Sequence, residues 1–216
     1  MRESYLEVYE GGEGEITEKK SRFIATVKPV KEEAEAAAFI EEMRKKYWNA
    51  THNCTAFSIG IRNELTRCSD DGEPGGTAGR PMLDVLLGEQ VHNVCVVVTR
   101  YFGGTLLGTG GLVRAYSRAV QEGLNNSVII RKVPGCELLV TCDYNGLGKI
   151  QYIAGQMQLP VLDTEYTDIV VLRILVPEEE EGAFLKRVKE ATGAKARTEE
   201  VGRPYFARKD GGILLF

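Results

Sequence analysis

Two glycine-rich segments of this sequence have the composition of anion-binding loops. Residues 75–79 lead directly to Arg80, and residues 103–111 lie between Arg100 and Arg114. Glycine lets backbone amides approach a ligand closely, and a helix N-terminus adds aligned N–H donors and partial positive charge. Arginine binds phosphate oxygens in a bidentate manner that lysine cannot reproduce. The sequence therefore predicts an anionic partner, and we expect that partner to be a nucleic acid.

The second glycine-rich segment stands between a predicted buried strand and a predicted helix, a context typical of phosphate-binding loops. It has neither the Gly-Lys-Ser/Thr of a Walker loop nor a Gly-x-Gly-x-x-Gly fingerprint, which disfavours ATP and NAD. The aromatic residues beside its arginine would stack on bases. The alternative is that the glycines only turn the chain and one ring belongs to the core. The predicted phosphate- and nucleic-acid-binding residues are Arg80, Arg100, Tyr101, Phe102, Gly103, Gly104, Gly108, Gly110, Gly111, Arg114 and Arg118.

Three carboxylates precede the first glycine-rich segment. Asp70, Asp71 and Glu73 fall within four residues, and clustered carboxylates can hold a magnesium ion that bridges to phosphate. Their spacing does not match a calcium loop. The alternative, which we favour, is a turn whose carboxylates cap backbone amides or pair with arginines, so we predict no metal and no cofactor. The candidate residues of this region are His52, Asp70, Asp71, Glu73, Gly76, Thr77 and Gly79.

His52 and Cys54 are two residues apart in a predicted strand, so their side chains would face the same side. A Cys–His nucleophilic pair is one interpretation, because an adjacent base activates a thiol. The other is a buried cysteine beside a hydrogen-bonded histidine. We favour the second, since a nucleophilic pair also needs an orienting group and an oxyanion site. We therefore assign no catalytic residue.

The composition describes a globular protein without a strongly basic surface. Of its 216 residues 43% are hydrophobic, and the formal net charge is −4. That charge disfavours non-specific wrapping of DNA but permits a local basic patch. From residue 47 to residue 131 the chain contains arginines but no lysine, and the alternative for these arginines is ion pairing with nearby carboxylates.

The same composition bears on compartment and metal content. No apolar run approaches the ~20 residues that span a bilayer, and the N-terminus lacks the apolar stretch of a signal peptide. The five cysteines show no Cys-x-x-Cys spacing. We expect a cytoplasmic protein with no membrane partner and no structural zinc.

Hydrophobic periodicity predicts an α+β protein of two domains, residues 1–132 and 136–216, with a linker at 131–135. In the second domain the order strand, helix, strand, strand, helix, strand is the ferredoxin-like arrangement. In the first domain a hairpin turn at 10–14 joins the first two strands. The elements predicted for the first domain are strands at 4–9, 16–28, 54–61 and 91–100 and helices at 31–47, 81–87 and 112–124.

Three motifs resemble those of the bacterial YigZ/IMPACT family. They are Ala50-Thr51-His52-Asn53-Cys54, then Asp70-Asp71-Gly72-Glu73-Pro74 with Gly76-Thr77-Ala78-Gly79-Arg80-Pro81, and Arg100-Tyr101-Phe102-Gly103-Gly104 with Leu107-Gly108 and Leu112-Val113-Arg114-Ala115-Tyr116. The resemblance implies a first domain with the ribosomal-protein second-domain fold, also seen in translational GTPases. It implies a ferredoxin-like second domain that resembles the last domain of elongation factor G.

This resemblance implies an association with RNA or the translation machinery. The family's eukaryotic branch restrains a starvation-responsive kinase pathway with the help of an extra N-terminal domain, and this chain begins almost directly at the family domain. We therefore expect a non-enzymatic protein that binds RNA or the ribosome, with a translation protein as a further partner. Two alternatives stay open: a metal-assisted hydrolase of a phosphoester or small anion that uses Asp70, Asp71 and Glu73, and an interaction module whose arginines meet an acidic protein.

Overall fold

A computed structural model describes residues 2–216 of the chain, which form two compact units. One unit comprises residues 5–131, and the other comprises residues 2–4 together with 132–216. The chain passes from the first unit to the second within one continuous strand, Val128–Cys142. The linker expected at 131–135 is therefore wrong. No helix within residues 2–216 is long and apolar enough to cross a membrane.

The first unit contains an antiparallel sheet of five strands, with the order β2-β3-β7-β4-β5. The elements of this unit are β1 (Tyr5–Glu10), β2 (Glu13–Glu18), β3 (Ser21–Pro29), α1 (Glu33–Lys46), β4 (His52–Ile59), β5 (Leu65–Ser69), α2 (Gly79–Gly88), β6 (Val91–His92), β7 (Val94–Tyr101) and α3 (Thr109–Asn125). The two glycine-rich segments lead into α2 and α3, as the sequence predicts, but both helices begin earlier than the expected residues 81 and 112, so Gly79 belongs to α2 and Gly110 and Gly111 belong to α3.

The central strand β7 separates two hydrophobic clusters. Side chains of a strand alternate between its two faces. Val94, Val96 and Val98 pack with α2 and α3, whereas Cys95 and Val97 pack with α1. Because helices cover both faces of the sheet, β7 has a continuous apolar sequence instead of an alternating one. The second glycine-rich loop starts where this buried strand ends.

The N-terminal strands differ from the sequence prediction. The single strand expected at 16–28 is two strands joined by a turn at Lys19 and Lys20, which have φ values of 44° and 68°. Positive φ at both central residues is typical of type I′ hairpin turns, where Asn and Gly are usual, so the two lysines gave no turn signal. The hairpin expected between β1 and β2 is also wrong, since β1 pairs in parallel with β6. Asn93 (φ 55°) divides the strand expected at 91–100 into β6 and β7.

The second unit has the ferredoxin-like topology that the sequence predicts. Its sheet order is β9-β10-β8-β11, and every neighbouring pair is antiparallel. A terminal hairpin that had no sequence prediction, β12 and β13, adds to β8 at Pro134. The elements are β8 (Val128–Cys142), α4 (Tyr144–Gln156), β9 (Val161–Tyr166), β10 (Val170–Pro177), α5 (Glu181–Thr192), β11 (Arg197–Gly202), β12 (Tyr205–Lys209) and β13 (Gly212–Leu215). The two-domain α+β fold class is thus confirmed.

A glycine in β2 sets how closely α3 packs on the sheet. A Cβ atom built on Gly14 would lie 2.5 Å from the carbonyl carbon of Glu122 and 2.5 Å from the amide nitrogen of Gly123. Both are backbone atoms, which cannot move aside as the end of a side chain can. Helix α3 therefore rests directly on the backbone of β2 at this point.

We predict that Gly14→Ala lowers the free energy of unfolding by about 1–3 kcal/mol, the usual cost of overpacking a core. Urea unfolding followed by circular dichroism measures it. Gly88→Ala is the matched control, because a Cβ atom there would meet nothing within 4 Å, and we expect its stability to equal or exceed that of the wild type. Equal stabilities for Gly14→Ala and Gly88→Ala would contradict this account of the α3 packing.

Candidate functional site

A buried ion pair joins the two glycine-rich loops. The Glu73 carboxylate accepts a hydrogen bond from Arg100 Nη1 at 2.6 Å, and these residues are 8% and 5% exposed. The Tyr116 hydroxyl donates to the same carboxylate oxygen, Oε1, at 2.7 Å. Burial, together with Cys54 and Glu73, raises the pKa of the Tyr116 hydroxyl, which therefore stays protonated and acts as the donor. The ion pair and the hydroxyl tie the first loop to β7 and to α3.

This ion pair corrects the role expected of Arg100. A phosphate contact requires an exposed guanidinium, and the Arg100 side chain is 6% exposed and paired with Glu73. The guanidinium carbon also lies 5.4 Å from the ring centroid of Phe23 and 5.5 Å from that of Phe102. Its Nε is a buried polar atom that has no hydrogen-bond partner among the described residues. Arg100 thus positions the second loop from beneath instead of binding a ligand at its surface.

The Asp70 carboxylate occupies the amides of the first glycine-rich loop. One oxygen accepts hydrogen bonds from the amides of Ala78 (2.9 Å) and Gly79 (2.8 Å), and the other accepts from Gly76 (2.8 Å). Burial opposes ionisation, but the amides of Gly76, Gly79 and Ala78 together lower the pKa of Asp70. These amides precede or begin α2, so Asp70 caps this helix from a distant position. The first loop is therefore not a phosphate cradle, because its own carboxylate already fills it.

The other carboxylates of this loop are also occupied. Asp71 accepts a hydrogen bond from the Asn53 amide at 2.6 Å, and Glu73 belongs to the ion pair. Thr77 turns inward and donates from its hydroxyl to the carbonyl of Pro74 at 2.7 Å. Asp70, Asp71 and Glu73 each have separate protein donors, so they do not form the shared oxygen site that a magnesium ion would need.

His52 and Cys54 do not form a nucleophilic pair. The Cys54 thiol lies 3.0 Å from the carbonyl oxygen of Asp70 and 3.3 Å from the Tyr116 hydroxyl, and burial raises its pKa, which disfavours the thiolate. The His52 Nδ1 lies 2.8 Å from the carbonyl oxygen of Asp71. Because a carbonyl only accepts, Nδ1 carries a proton, and in a neutral ring Nε2 is the nitrogen that has the lone pair.

A pocket of about 440 Å³ lies over the ion pair, and we call it the loop pocket. Its ionisable residues are Glu73, His52 and Arg100, and Glu73 Oε2 lies 3.8 Å from His52 Nε2. Its apolar part includes Phe102 and Leu106, which are 46% and 82% exposed. The complete lining is Thr51, His52, Gly72, Glu73, Pro74, Arg100, Phe102, Leu106, Leu107, Gly108, Thr109 and Leu112.

A second pocket, of about 260 Å³, is lined by positive charges, and we call it the basic pocket. Arg114 and Arg118 stand one turn apart on the exposed side of α3, and Lys19 of the β2–β3 turn lies beside them. Within residues 2–216 no hydrogen bond or ion pair engages these three side chains. Glu18 supplies the one carboxylate of the lining, which is completed by Ile16, Leu107, Gly111 and Ala115.

Glycine at position 103 brings the second loop against the lysine turn. A Cβ atom there would lie 2.1 Å from the carbonyl carbon of Lys20, and the Gly103 amide donates to Ser21 Oγ at 3.1 Å. This close approach puts Lys19 beside the start of α3. Helix α3 begins after Gly108 (φ 74°) without a side-chain cap and without an acidic residue in its first turn. The positive end of its dipole is therefore not neutralised.

The remaining predicted residues separate into those near the pockets and those elsewhere. Arg80 is exposed in the first turn of α2, pairs with Asp84 at 2.8 Å, and lines neither the loop pocket nor the basic pocket. Tyr101 donates from its hydroxyl to Asn49 at 3.1 Å, so Phe102 is the ring that borders a pocket. Of the second-loop glycines, Gly108 lines the loop pocket and Gly111 the basic pocket; Gly103, Gly104 and Gly110 line neither.

Three residues in or beneath these pockets were not predicted as site residues. Lys19 lies far from the glycine loops in sequence, and only the position of its turn brings it near. From the sequence, Tyr116 is predicted to belong to the apolar face of α3. The role of its buried hydroxyl as a hydrogen-bond donor is visible only in the structure, where Glu73 lies beside it. Leu106 could have been predicted from the sequence, because a leucine between glycines in a polar loop indicates an exposed apolar surface. The Leu106 side chain is 82% exposed in the structure.

One further group of possible metal ligands lies in the second unit. Among the described residues, ligand atoms of Cys136, Glu181 and Glu200 lie within 4.8 Å of one another. Arg203 pairs with Glu200 at 2.7 Å and with Glu181 at 3.2 Å. Burial raises the pKa of Cys136 to about 12, so the thiol stays protonated. The group is an ion-pair network around a guanidinium, which repels a cation.

The geometry defines a two-domain α+β protein whose first unit holds an apolar pocket with a charged floor and, beside it, a basic pocket. Comparison with known proteins agrees with this division. The model of the Impact N-terminal domain matches residues 19–124, and that of a domain of unknown function, DUF1949, matches residues 140–195. A crystal structure of a hypothetical protein, 34% identical, covers 94% of this chain and 99% of its own with a TM-score of 0.59.

Two bacterial relatives extend over most of the chain. The IMPACT family member YvyE of Bacillus subtilis (strain 168) is 42% identical over 208 residues, 96% of each protein. The IMPACT family member YigZ of Escherichia coli (strain K12) is 40% identical over 161 residues, 74% of this chain and 79% of that protein. This chain therefore belongs to the IMPACT family, as the motifs in its sequence indicated.

We predict that Asp70→Asn lowers the free energy of unfolding at neutral pH by about 1–2 kcal/mol, the usual cost of losing a helix cap. The variant has one acceptor oxygen and no charge in place of the carboxylate. The folded pKa of Asp70 lies below its unfolded value of about 3.9. Its contribution is therefore fully present above that value and is lost as the pH falls through the folded pKa.

Urea unfolding of the wild type and of Asp70→Asn from neutral pH down to about pH 2 measures this contribution, and the difference should narrow below about pH 4. Asp84→Asn is the matched control, because Asp84 is an exposed partner of Arg80 and such pairs contribute about 0.5 kcal/mol or less. A difference for Asp70→Asn that stays constant to the lowest pH would contradict the capping role.

Proposed function

We propose that this protein binds RNA, free or on a ribosomal surface, in the cytoplasm, as part of a role in translation regulation. The observation that carries the proposal is the basic pocket. Arg114, Arg118 and Lys19 converge there, and within residues 2–216 none of the three forms an ion pair, although Glu18 is part of the same lining. Unpaired guanidinium groups beside a helix N-terminus are suited to the oxygens of a phosphate.

The distribution of charge supports RNA contact at the basic pocket alone and not over the whole protein surface. The chain has a formal net charge of −4, so long-range attraction to a polyanion is weak and binding depends on the few cations at the site. Contacts of this kind hold the phosphate backbone without reading its sequence. A role in translation regulation is consistent with such a contact, and a protein of the translation machinery that carries the RNA is a compatible partner.

The carboxylates favour binding over hydrolysis. A metal-assisted phosphoesterase would need Asp70, Asp71 and Glu73 to share a cation, and each instead accepts hydrogen bonds from a separate set of protein donors. The basic pocket contains only one carboxylate, that of Glu18. We therefore propose a binding protein without turnover.

We predict that Arg114→Ala/Arg118→Ala lowers the affinity for a labelled 12-nucleotide uridine RNA on the order of tenfold, since exposed ion pairs contribute up to about 1 kcal/mol each. Fluorescence anisotropy across a series of potassium chloride concentrations measures it. The plot of the logarithm of the association constant against the logarithm of the salt concentration should have a slope that is smaller in magnitude by about 0.7 for each arginine that contacts a phosphate. Both positions are exposed on a helix, where alanine is well tolerated.

The control variant is Lys186→Ala/Arg187→Ala, which removes the same charge from exposed positions of α5. It should keep the wild-type affinity and salt slope. If both double variants lost affinity equally, net charge instead of the basic pocket would explain binding. If the wild type failed to bind RNA at low salt, the proposed function would be wrong.

A further inference from the structure

The loop pocket has the size and surface of a ligand site. Its volume of about 440 Å³ falls within the ~300–1,000 Å³ typical of small-molecule sites. Phe102 and Leu106 expose large apolar surfaces at the pocket. Apolar side chains exposed together beside a concave polar floor indicate a surface that a partner covers.

The floor of the pocket presents two acceptor atoms that receive no hydrogen bond from residues 2–216. Glu73 Oε1 receives both Arg100 and the Tyr116 hydroxyl. The second oxygen, Oε2, has His52 Nε2 at 3.8 Å as its polar neighbour, a distance too long for a hydrogen bond. The Glu73 side chain is 3% exposed, and among the described residues Arg100 Nε is the one fully buried polar side-chain atom without a partner, so Oε2 keeps a small accessible area.

The tautomer of His52 makes its free nitrogen an acceptor as well. Because Nδ1 donates to the carbonyl of Asp71, the neutral ring presents Nε2 as a lone pair next to Glu73 Oε2. Two adjacent acceptors call for a ligand with two adjacent hydrogen-bond donors. The apolar walls call for that ligand to be a flat or apolar group.

The loop pocket is continuous with the basic pocket along the second loop. Leu107 lines both, Gly108 immediately before α3 lines the first, and Gly111 in the first turn of α3 lines the second. A phosphate held by Arg114 and Arg118 would therefore leave its nucleotide beside the loop pocket. The exposed ring of Phe102 offers that base a stacking surface.

We propose that the loop pocket binds a guanine base whose phosphate occupies the basic pocket. Guanine presents two neighbouring donors, N1–H and the N2 amino group, on its Watson–Crick edge. Adenine and cytosine present one amino group beside an acceptor, which would face a lone pair on the floor, and uracil presents a single N3–H between carbonyls. If the guanine belongs to an unstacked RNA strand, this inference depends on the proposed RNA binding. The same chemistry occurs in a free guanosine nucleotide.

The test compares two RNA 12-mers that are all uridine except for one central guanosine or one central adenosine. Wild-type protein should bind the guanosine strand about tenfold more tightly, the discrimination expected from a two-donor contact. His52→Asn should abolish this preference and leave the affinity for all-uridine RNA unchanged. The asparagine amide can still donate to the Asp71 carbonyl, while the Nε2 acceptor is gone.

The matched control is His92→Asn, the same substitution at a histidine whose Nδ1 also lies near a backbone carbonyl, that of Gly60 at 3.2 Å. It should keep the preference for guanosine. Phe102→Ala provides an independent readout, because loss of stacking should weaken both purine strands by about fivefold or more and leave their ratio unchanged. This variant alters an exposed side chain, so it tests the position of the base independently of His52, and unchanged affinity for both purine strands would contradict stacking on Phe102.

Calorimetry with guanosine 5′-monophosphate distinguishes the source of the base. If the nucleotide binds and His52→Asn abolishes its binding while RNA binds with no purine preference, the pocket takes a free nucleotide and the RNA source is wrong. If all-uridine RNA binds, both purine strands bind equally and the nucleotide does not bind, the guanine assignment is overturned and the proposed RNA binding stands. Retention of the preference by His52→Asn would also overturn it.

Discussion

The buried ion pair between Glu73 and Arg100 is the interaction on which the arrangement of both loops depends. Removing two charges from water is costly, and their attraction repays that cost only with good geometry and further hydrogen bonds. Tyr116 supplies one such bond, and the rings of Phe23 and Phe102 lie near the guanidinium. Loss of either ion would leave the other buried and unpaired, which costs about 3–5 kcal/mol. The pair therefore holds the first loop, β7 and α3 in one relative position.

The two glycine-rich loops have similar composition but opposite electrostatic roles. In the first, the Asp70 carboxylate fills the amides before α2, so the loop is satisfied internally. In the second, α3 begins without an acidic residue, and Arg114 and Arg118 are left without carboxylate partners among the described residues. A chain with an acidic net charge can thus concentrate positive potential at one place. At physiological ionic strength the Debye length is about 8 Å, so this local potential governs contact more than the net charge does.

Local sequence signals predicted the parts of the fold that depend on neighbouring residues. The apolar periodicity of α3, the continuous apolar run of β7 and the βαββαβ order of the second unit are all readable in this way. The turn at Lys19 and Lys20 was not, because its positive φ values occur at residues that rarely adopt them. The sequence also did not predict which arginines would be buried and which would be exposed. Arg100 and Arg114 both flank the same loop, and only the position of Glu73, distant in sequence, decides that one is buried and the other exposed.

A buried ion pair is weak evidence for stability, because apolar residues of similar volume often stabilise a core at least as well. Its presence under the loop pocket is better explained by what it presents to a ligand. Arg100 and the Tyr116 hydroxyl engage one oxygen of Glu73 and leave the other oriented beside His52. An acceptor fixed in this way requires no rearrangement when a donor arrives, which reduces the entropic cost of binding. The positive charge of the basic pocket can then supply affinity, while the fixed acceptors on the floor of the loop pocket supply selectivity. The ion pair holds the two pockets in a constant relative position.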